Sequence, residues 1–267
     1  MDTPLGKPTR YADGYDATLL APMERSRSRE EQGLPAAPKW AGVDLWRSYE
    51  FSWLNAEGLP RVAGLTLEAD ATSPRMVESK SMKLYLNGFA QARFESADAV
   101  RQQLEPDLGA AFGGVVAVRL EPLAALAGAV TALPGTCLDG LPVAADAYQP
   151  DASLLRCGER TAEETVHTEL FRSVCPVTGQ PDWASVLIRY RGLAIEHESL
   201  LRYLVSFRQH AAFHETTVER IYTDLAERCG CERLLVAGYF LRRGGIDINP
   251  IRADRPGPWP LIRTARQ

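Results

Sequence analysis

The stretch Phe171-Arg-Ser-Val-Cys175-Pro-Val-Thr-Gly-Gln-Pro-Asp182-Trp-Ala holds the two groups that thiol chemistry needs. Cys175 ends an apolar run and meets Pro176, which cannot continue a hydrogen-bonded ladder. Gly179 and Pro181 then turn the chain back toward a second run that begins near Trp183. A thiol therefore stands at the mouth of a hairpin loop, with a carboxylate across the same loop. A free thiol, with a pKa of about 8.5, is only a few per cent thiolate at neutral pH, so a neighbouring base must take its proton. Asp182 is placed to take that proton and later to return it. For a cysteine met in isolation, a buried inert thiol beside a capping aspartate is the commoner situation.

Three other segments carry candidate chemistry, each with an ordinary structural alternative. In Phe213-His214-Glu215, at the junction of two helical patterns, the imidazole can shuttle protons and the carboxylate can accept paired hydrogen bonds from an amidine-like base edge. An acidic residue there equally suits a first helical turn. The segment Val77-Glu78-Ser79-Lys80-Ser81-Met82-Lys83 opens a helix. It is either a capped, solvated end or an anion site of backbone N–H groups assisted by Lys80 or Lys83. Arg242-Arg243-Gly244-Gly245 is a hairpin turn that would also let a phosphate approach the backbone beside two guanidinium groups. No Gly-x-Gly-x-x-Gly follows a strand pattern, so a Rossmann dinucleotide site is not expected. Cys229-Gly-Cys231 coincides with a helix stop at Gly230, and a closed zinc site needs four ligands, so no metal is expected.

The elements that must position these groups follow from periodicity. Strand patterns cover Leu45–Leu54 and Arg61–Ala69 around the turn Asn55–Gly58, and helical patterns follow from Ser81 to Phe94 and from Asp98. Val115–Leu120 is strand-like again. Residues 121–160 are rich in Ala, Gly and Pro and read as a linker. Beyond them lie strands at Thr165–Ser173 and Trp183–Tyr190, helices at Glu198–Gln209 and Glu215–Cys229, and strands at Leu234–Leu241 and Ile246–Ile251. At one fixed offset, Glu78, Ser81, Tyr85, Leu86, Phe89 and Gln91 match Glu196, Ser199, Tyr203, Leu204, Phe207 and Gln209. Shared apolar positions arise readily between amphipathic helices, but the matched Glu, Ser and Gln point to duplication. The expectation is an α+β chain of two ββααβ(β) units with antiparallel sheets and helices on one face. It comprises an N-terminal arm wrapped on the surface (1–40), a first unit (41–135) and a second unit (136–267).

Charge and composition narrow the function. The 267 residues carry 30 Lys and Arg against 34 Asp and Glu, a net charge of −4. That balance lacks the basic excess of a nucleic-acid or anionic-membrane binder. No apolar run approaches the roughly 18 residues of a membrane span. The opening MDTPLGKPTRYADGYD is polar, and the five cysteines form an odd, sparse set, so free thiols in a cytoplasmic setting are expected.

Taken together, ESKSMKLY, FRSVCPVTGQPDWA, FRQHAAFHE and RRGGIDINPIR resemble the long, two-module form of the 7-cyano-7-deazaguanine reductases, the NADPH-dependent nitrile reductases of queuosine biosynthesis in tRNA modification. The resemblance extends to LGKPTRYADGYDATLL and DLWRSYEFSWLNAEGLP, and so to nearly the whole chain. It implies a tandem tunnelling fold, with Cys175 as the nucleophile that forms a thioimide with the nitrile carbon and Asp182 as proton donor. It further implies substrate contacts from Val77, Glu78, Ser79, His214 and Glu215, His214 also serving the chemistry. Ser79, Lys80, Arg243 and Gly244 would hold NADPH, and a symmetric homodimer is the expected assembly. Two alternatives from other classes are a zinc-dependent hydrolase of the GTP cyclohydrolase kind and a non-catalytic purine-binding module.

Overall fold

The structure is a computed structural model that describes residues 14–126, 128 and 130–267. The first nine residues of LGKPTRYADGYDATLL therefore lie outside the described part. In chain order the elements are β1 (Pro22–Glu24), α1 (Arg25–Glu31), β2 (Ala41–Leu54), β3 (Pro60–Asp70), β4 (Arg75–Val77), α2 (Ser79–Gly88), α3 (Ala97–Phe112), β5 (Val116–Glu121), β6 (Thr136–Cys137), β7 (Cys157–Val174), β8 (Pro181–Ile195), α4 (His197–Val205), α5 (His214–Cys229), β9 (Arg233–Phe240) and β10 (Ile246–Ala253). No helix among the described residues is long and apolar enough to cross a membrane.

Separate sheets were expected for the two units, but beside the small β1–β4 pair their strands form one eight-stranded sheet. Its order is β5-β3-β2-β10-β9-β8-β7-β6, antiparallel apart from the short β6–β7 pair. The halves join where β10 lies antiparallel to β2, from Ile246 opposite Ser48 to Ala253 opposite Ala41. Pairing the two inner strands satisfies backbone groups that separate sheets would leave as open edges. The helices cover one face. Under α2 and α3 lies a core containing Trp46, Leu67, Tyr85, Phe89 and Leu104, and under α4 and α5 one containing Ile188, Tyr203, Phe207, Ile221 and Phe240. On the opposite face Val43, Leu187, Tyr239 and Ile251 are closed over by Leu133, Trp259 and Ile262.

The duplication extends to atomic detail. Ser81 Oγ donates to the Glu78 carbonyl (2.7 Å) and accepts from Ala21 N–H (3.0 Å); Ser199 Oγ donates to the Glu196 carbonyl (2.8 Å) and accepts from Arg156 N–H (3.0 Å). Tyr85 and Tyr203 each donate to an aspartate of the next helix, Asp107 and Asp224, at 2.8 Å. Both first helices also stop earlier than their periodicity suggests, tightening into single turns at Phe89–Gln91 and Ser206–Gln209. The cause is the strand tip beside them: Leu54 N–H donates to Ala92 and Val174 N–H to His210, which draws the chain out of the helix.

The arm departs from a surface wrap. β1 pairs with β4, and α1 sends Arg25 and Arg29 into the seam between the halves. There Arg25 pairs with Asp44 (2.6 Å), Arg252 with both Asp44 (2.8 Å) and Glu219 (3.0 Å), and Arg29 with Glu219 (2.9 Å). Burial pushes the Asp44 carboxyl up, but Arg25 and Arg252 outweigh it and hold it below the usual range. Charges this deep remain only because each has a partner, and removing one partner strands the others. Arg252→Met is expected to lower unfolding stability by about 3–5 kcal/mol in urea denaturation. A loss below about 1 kcal/mol would show that Arg25 and Arg29 suffice to hold the seam.

Candidate active site

The cleft opens at that seam. Trp46, Val77 and Ser79 come from the first half and Cys175, Asp182, His214, Glu215 and Arg243 from the second, while Met23 of the arm forms part of one wall. Cys175 follows the last residue of β7, in a tight loop closed by its own N–H donating to the Gln180 carbonyl (2.9 Å) and by Gly179 N–H donating back to the Cys175 carbonyl (3.0 Å). Gly179 makes that return at φ +67°, in the left-handed region that glycine favours. The bridge between Val174 and Ala211 brings the α4–α5 connection alongside, which delivers Phe213, His214 and Glu215 to the thiol.

Asp182, on β8 opposite Ser173, is 1% exposed. His214 Nε2 lies 3.3 Å from one carboxylate oxygen and Arg243 Nε 3.1 Å from the other. The His214 ring is itself fixed by stacking on Phe240, with centroids 3.8 Å apart and planes 3° from parallel. Arg243 also donates to the Gln180 side chain in the thiol loop. Burial raises the Cys175 thiol, yet hydrogen bonding from Thr178, the Val177 backbone and Arg243 wins and leaves it below its ordinary value. Glu215, first-turn acid of α5, is pushed up by burial and by the charge of Asp44, against opposing help from His214 and Arg25. A carboxyl held this way gains from ligand N–H donors when ionised.

Glu78 is placed differently from the other proposed contacts. Its carboxylate caps α2, accepting from Lys80 N–H (2.6 Å) and Ser81 N–H (2.9 Å), next to the cleft wall formed by Val77 and Ser79. The oxygen that accepts from Ser81 keeps a lone pair for a further donor, while the other also accepts from the Ser79 hydroxyl (3.5 Å). A second groove shares Ser79 and Arg243 with the cleft and continues past Lys80, Lys83, Arg242 and Gly244 to Trp183, with no carboxylate in its lining. Arg243-Gly244-Gly245-Ile246 is a two-residue hairpin turn in which both glycines have positive φ (+61° and +83°), the geometry that the diglycine permits. Lys83 is lowered by burial and then by Arg243, with Glu78, Asp182 and Cys175 opposing. The groove's cationic character suits a dinucleotide carrying an extra phosphate.

Reading residue types missed the apolar walls, Trp46, Met23, Met76 and Ile248, and the pairing of Arg243 with Asp182. The walls are ordinary strand residues brought together by two long-range pairings, Trp46 with Ile248 across β2–β10 and Met23 with Met76 across β1–β4, and nothing local in the sequence reports either. Arg243 was legible only as a phosphate partner.

Comparison with known proteins decides the family. Residues 11–120 match a family model described as nitrile reductase, 7-cyano-7-deazaguanine-reductase N-term, and residues 181–256 match one described as QueF-like protein. Proteins named NADPH-dependent 7-cyano-7-deazaguanine reductase from Burkholderia multivorans and Burkholderia pseudomallei are each 50% identical over 99% of this chain and 98% of their own length. One from Paraburkholderia phymatum is 47% identical over the same shares. The chain belongs to the 7-cyano-7-deazaguanine reductase family. The two matched segments lie on either side of the seam, and the architecture is the tandem tunnelling fold of this reductase family. Cys175 falls between the matched segments, in the loop whose far side begins the second.

The polarised loop makes a reactivity difference measurable. Cys229 is raised by burial and by Cys157, and Cys231 is pushed up to about 11, mainly by burial. Iodoacetamide should therefore label Cys175 before either of them, with a rate midpoint below that of an ordinary thiol, and Thr178→Val should move that midpoint upward. Equal labelling of Cys175 and Cys231 at neutral pH would contradict the loop's effect on the thiol.

Proposed function

We propose that Cys175, Asp182 and the residues around them perform the chain's reaction, the NADPH-dependent reduction of the nitrile of 7-cyano-7-deazaguanine to 7-aminomethyl-7-deazaguanine. The observation that carries this reading is one cleft joining a lowered thiol, a buried carboxylate between His214 and Arg243, and an adjoining cationic groove. A nitrile is a poor hydride acceptor, and thiolate addition converts it into a C=N group that can be protonated. Asp182 takes the Cys175 proton and delivers one to the nitrile nitrogen as the sulfur–carbon bond forms. His214 and Arg243 hold Asp182 in place and balance its charge while it does so. Two NADPH molecules, bound in turn, would each supply one of the two hydrides that the change from nitrile to amine requires. The C–S bond breaks between the two reductions, leaving a C=N group for the second and returning the thiolate to the Thr178 and Arg243 donors that stabilise it.

Glu215 and Glu78 are assigned to the N–H donors of the deazaguanine edge, and Val77, Ser79 and His214 to its flanks. Ser79, Lys80, Arg243 and Gly244, with Lys83 and Arg242, fit the cofactor phosphates along the groove, the extra ribose phosphate giving preference for NADPH over NADH. The units are read as 41–135 and 136–267 behind the arm. Two features support a homodimer as the assembly: among the described residues β5 pairs only with β3, and the two-residue β6 covers little of the eighteen-residue β7, so both ends of the described sheet present open edges. Light scattering reads that state directly. The five free thiols fit a reducing, cytoplasmic setting. Membership of a reductase family, with Cys175 and Asp182 both in place, favours this reading over the zinc-hydrolase and non-catalytic alternatives.

Nitrile-dependent NADPH oxidation tests the assignment. Cys175→Ala should abolish it, and Asp182→Asn should slow it by roughly a hundredfold or more, the usual scale for losing a general acid. Persistent turnover by Cys175→Ala would end the covalent reading, and near-normal rates from Asp182→Asn would make that residue structural.

A further inference from the structure

The two carboxylates assigned to the substrate read only its donors, and Ser79 and His214 are assigned to its flanks, so the ring carbonyl has no assigned partner. Ionised carboxylates such as Glu215 and Glu78 only accept hydrogen bonds, so they satisfy the N–H groups of a deazaguanine. The same ring system presents a carbonyl oxygen that only accepts, and a buried acceptor without a donor costs the free energy of its lost hydration. Trp46 lines the cleft, is 1% exposed, and its indole Nε1 has no hydrogen-bond partner. An indole N–H can only donate, and a buried unpaired donor is rare enough to need a reason.

The setting fixes that donor in place. Trp46 sits on β2 between Ile248 of β10 and Leu67 of β3, its ring edge-on to Phe112 at 6.5 Å and 79°. The neighbouring cleft residues Met23, Met76, Val77 and Ile248 are apolar and give the N–H no strong side-chain acceptor. Of the two carboxylates that line the cleft, Asp182 is already held by His214 and Arg243, and Glu215 is assigned to the ligand's N–H groups.

We infer that the Trp46 indole N–H is the donor that reads the ring carbonyl of the bound deazaguanine. The inference rests on the reductase reading and adds a specificity residue to it. A ring with an amino group at the carbonyl position would set donor against donor in this wall, so the same contact rejects adenine-like rings.

The test compares the nitrile substrate with its thiocarbonyl counterpart, which keeps every N–H donor while sulfur accepts only weakly. Trp46→Phe keeps an aromatic ring and removes the N–H. It should raise the KM of the oxo substrate about ten- to a hundredfold, the scale of leaving one buried hydrogen-bonding group unpaired. It should change the KM of the thio compound no more than a few-fold and leave kcat for the oxo substrate near normal. In the unaltered protein, the indole proton resonance absent from the Trp46→Phe spectrum should move downfield with the oxo ligand and less with the thio ligand, a readout separate from turnover. An unchanged KM for the oxo substrate, an equal penalty on both compounds, or an indole resonance that ignores the oxo ligand would each overturn the assignment of Trp46. Absence of turnover of either compound by the unaltered protein would instead overturn the reductase reading.

Discussion

The pairing of β2 with β10 is the interaction on which the site depends. It merges the two units into one sheet and brings strand residues separated by about two hundred positions into register. Without it the thiol loop, Asp182 and Arg243 would belong to one body, and Trp46, Val77 and Ser79 to another. The seam is reinforced by charge as well as by ladder hydrogen bonds. Asp44 and Glu219 are each held by two arginines, one from the arm and one, Arg252, from β10. Buried networks of this kind contribute little net stability against an apolar core, but they are unforgiving of misalignment. Here the same network ends beside Glu215, whose carboxyl feels Asp44 and Arg25.

Much of this was legible in the residues. The hairpin at Cys175, the helical start at His214, the turn at Gly244 and the paired helices with their matched Glu, Ser and Tyr all follow from local pattern. Local pattern ends where the partner is distant. That two sheets become one depends on which edges meet, and neither β2 nor β10 carries a sign of the other. Arg25 and Arg29 lie in RSRSREEQ, whose composition reads as part of a surface arm, yet both are buried because carboxylates from β2 and α5 await them. Trp46 alternates inward like any strand aromatic, and its exposure to a cleft rather than to a filled core comes from tertiary packing alone.

Duplication followed by divergence explains the site's asymmetry. The Ser81 and Ser199 hydrogen bonds and the Tyr85 and Tyr203 bonds preserve a common scaffold. On that scaffold the second unit carries Cys175 in its hairpin, whereas the matching turn from Asn55 to Pro60 has no cysteine. Glu78 caps its helix through its side chain while its counterpart Glu196 does not. The second unit supplies the thiol and the buried carboxylate proposed to react, and the first a wall, a helix start and the cations beside it, so one cleft draws on two similar halves.

The most direct test of the composite cleft as a thiol-capture site is the intact mass of the full chain mixed with 7-cyano-7-deazaguanine in the absence of NADPH. The account predicts one added nitrile per chain, located at Cys175 by peptide mapping and absent from Cys175→Ala. An unmodified mass at saturating nitrile, or an adduct on a different cysteine, would contradict it.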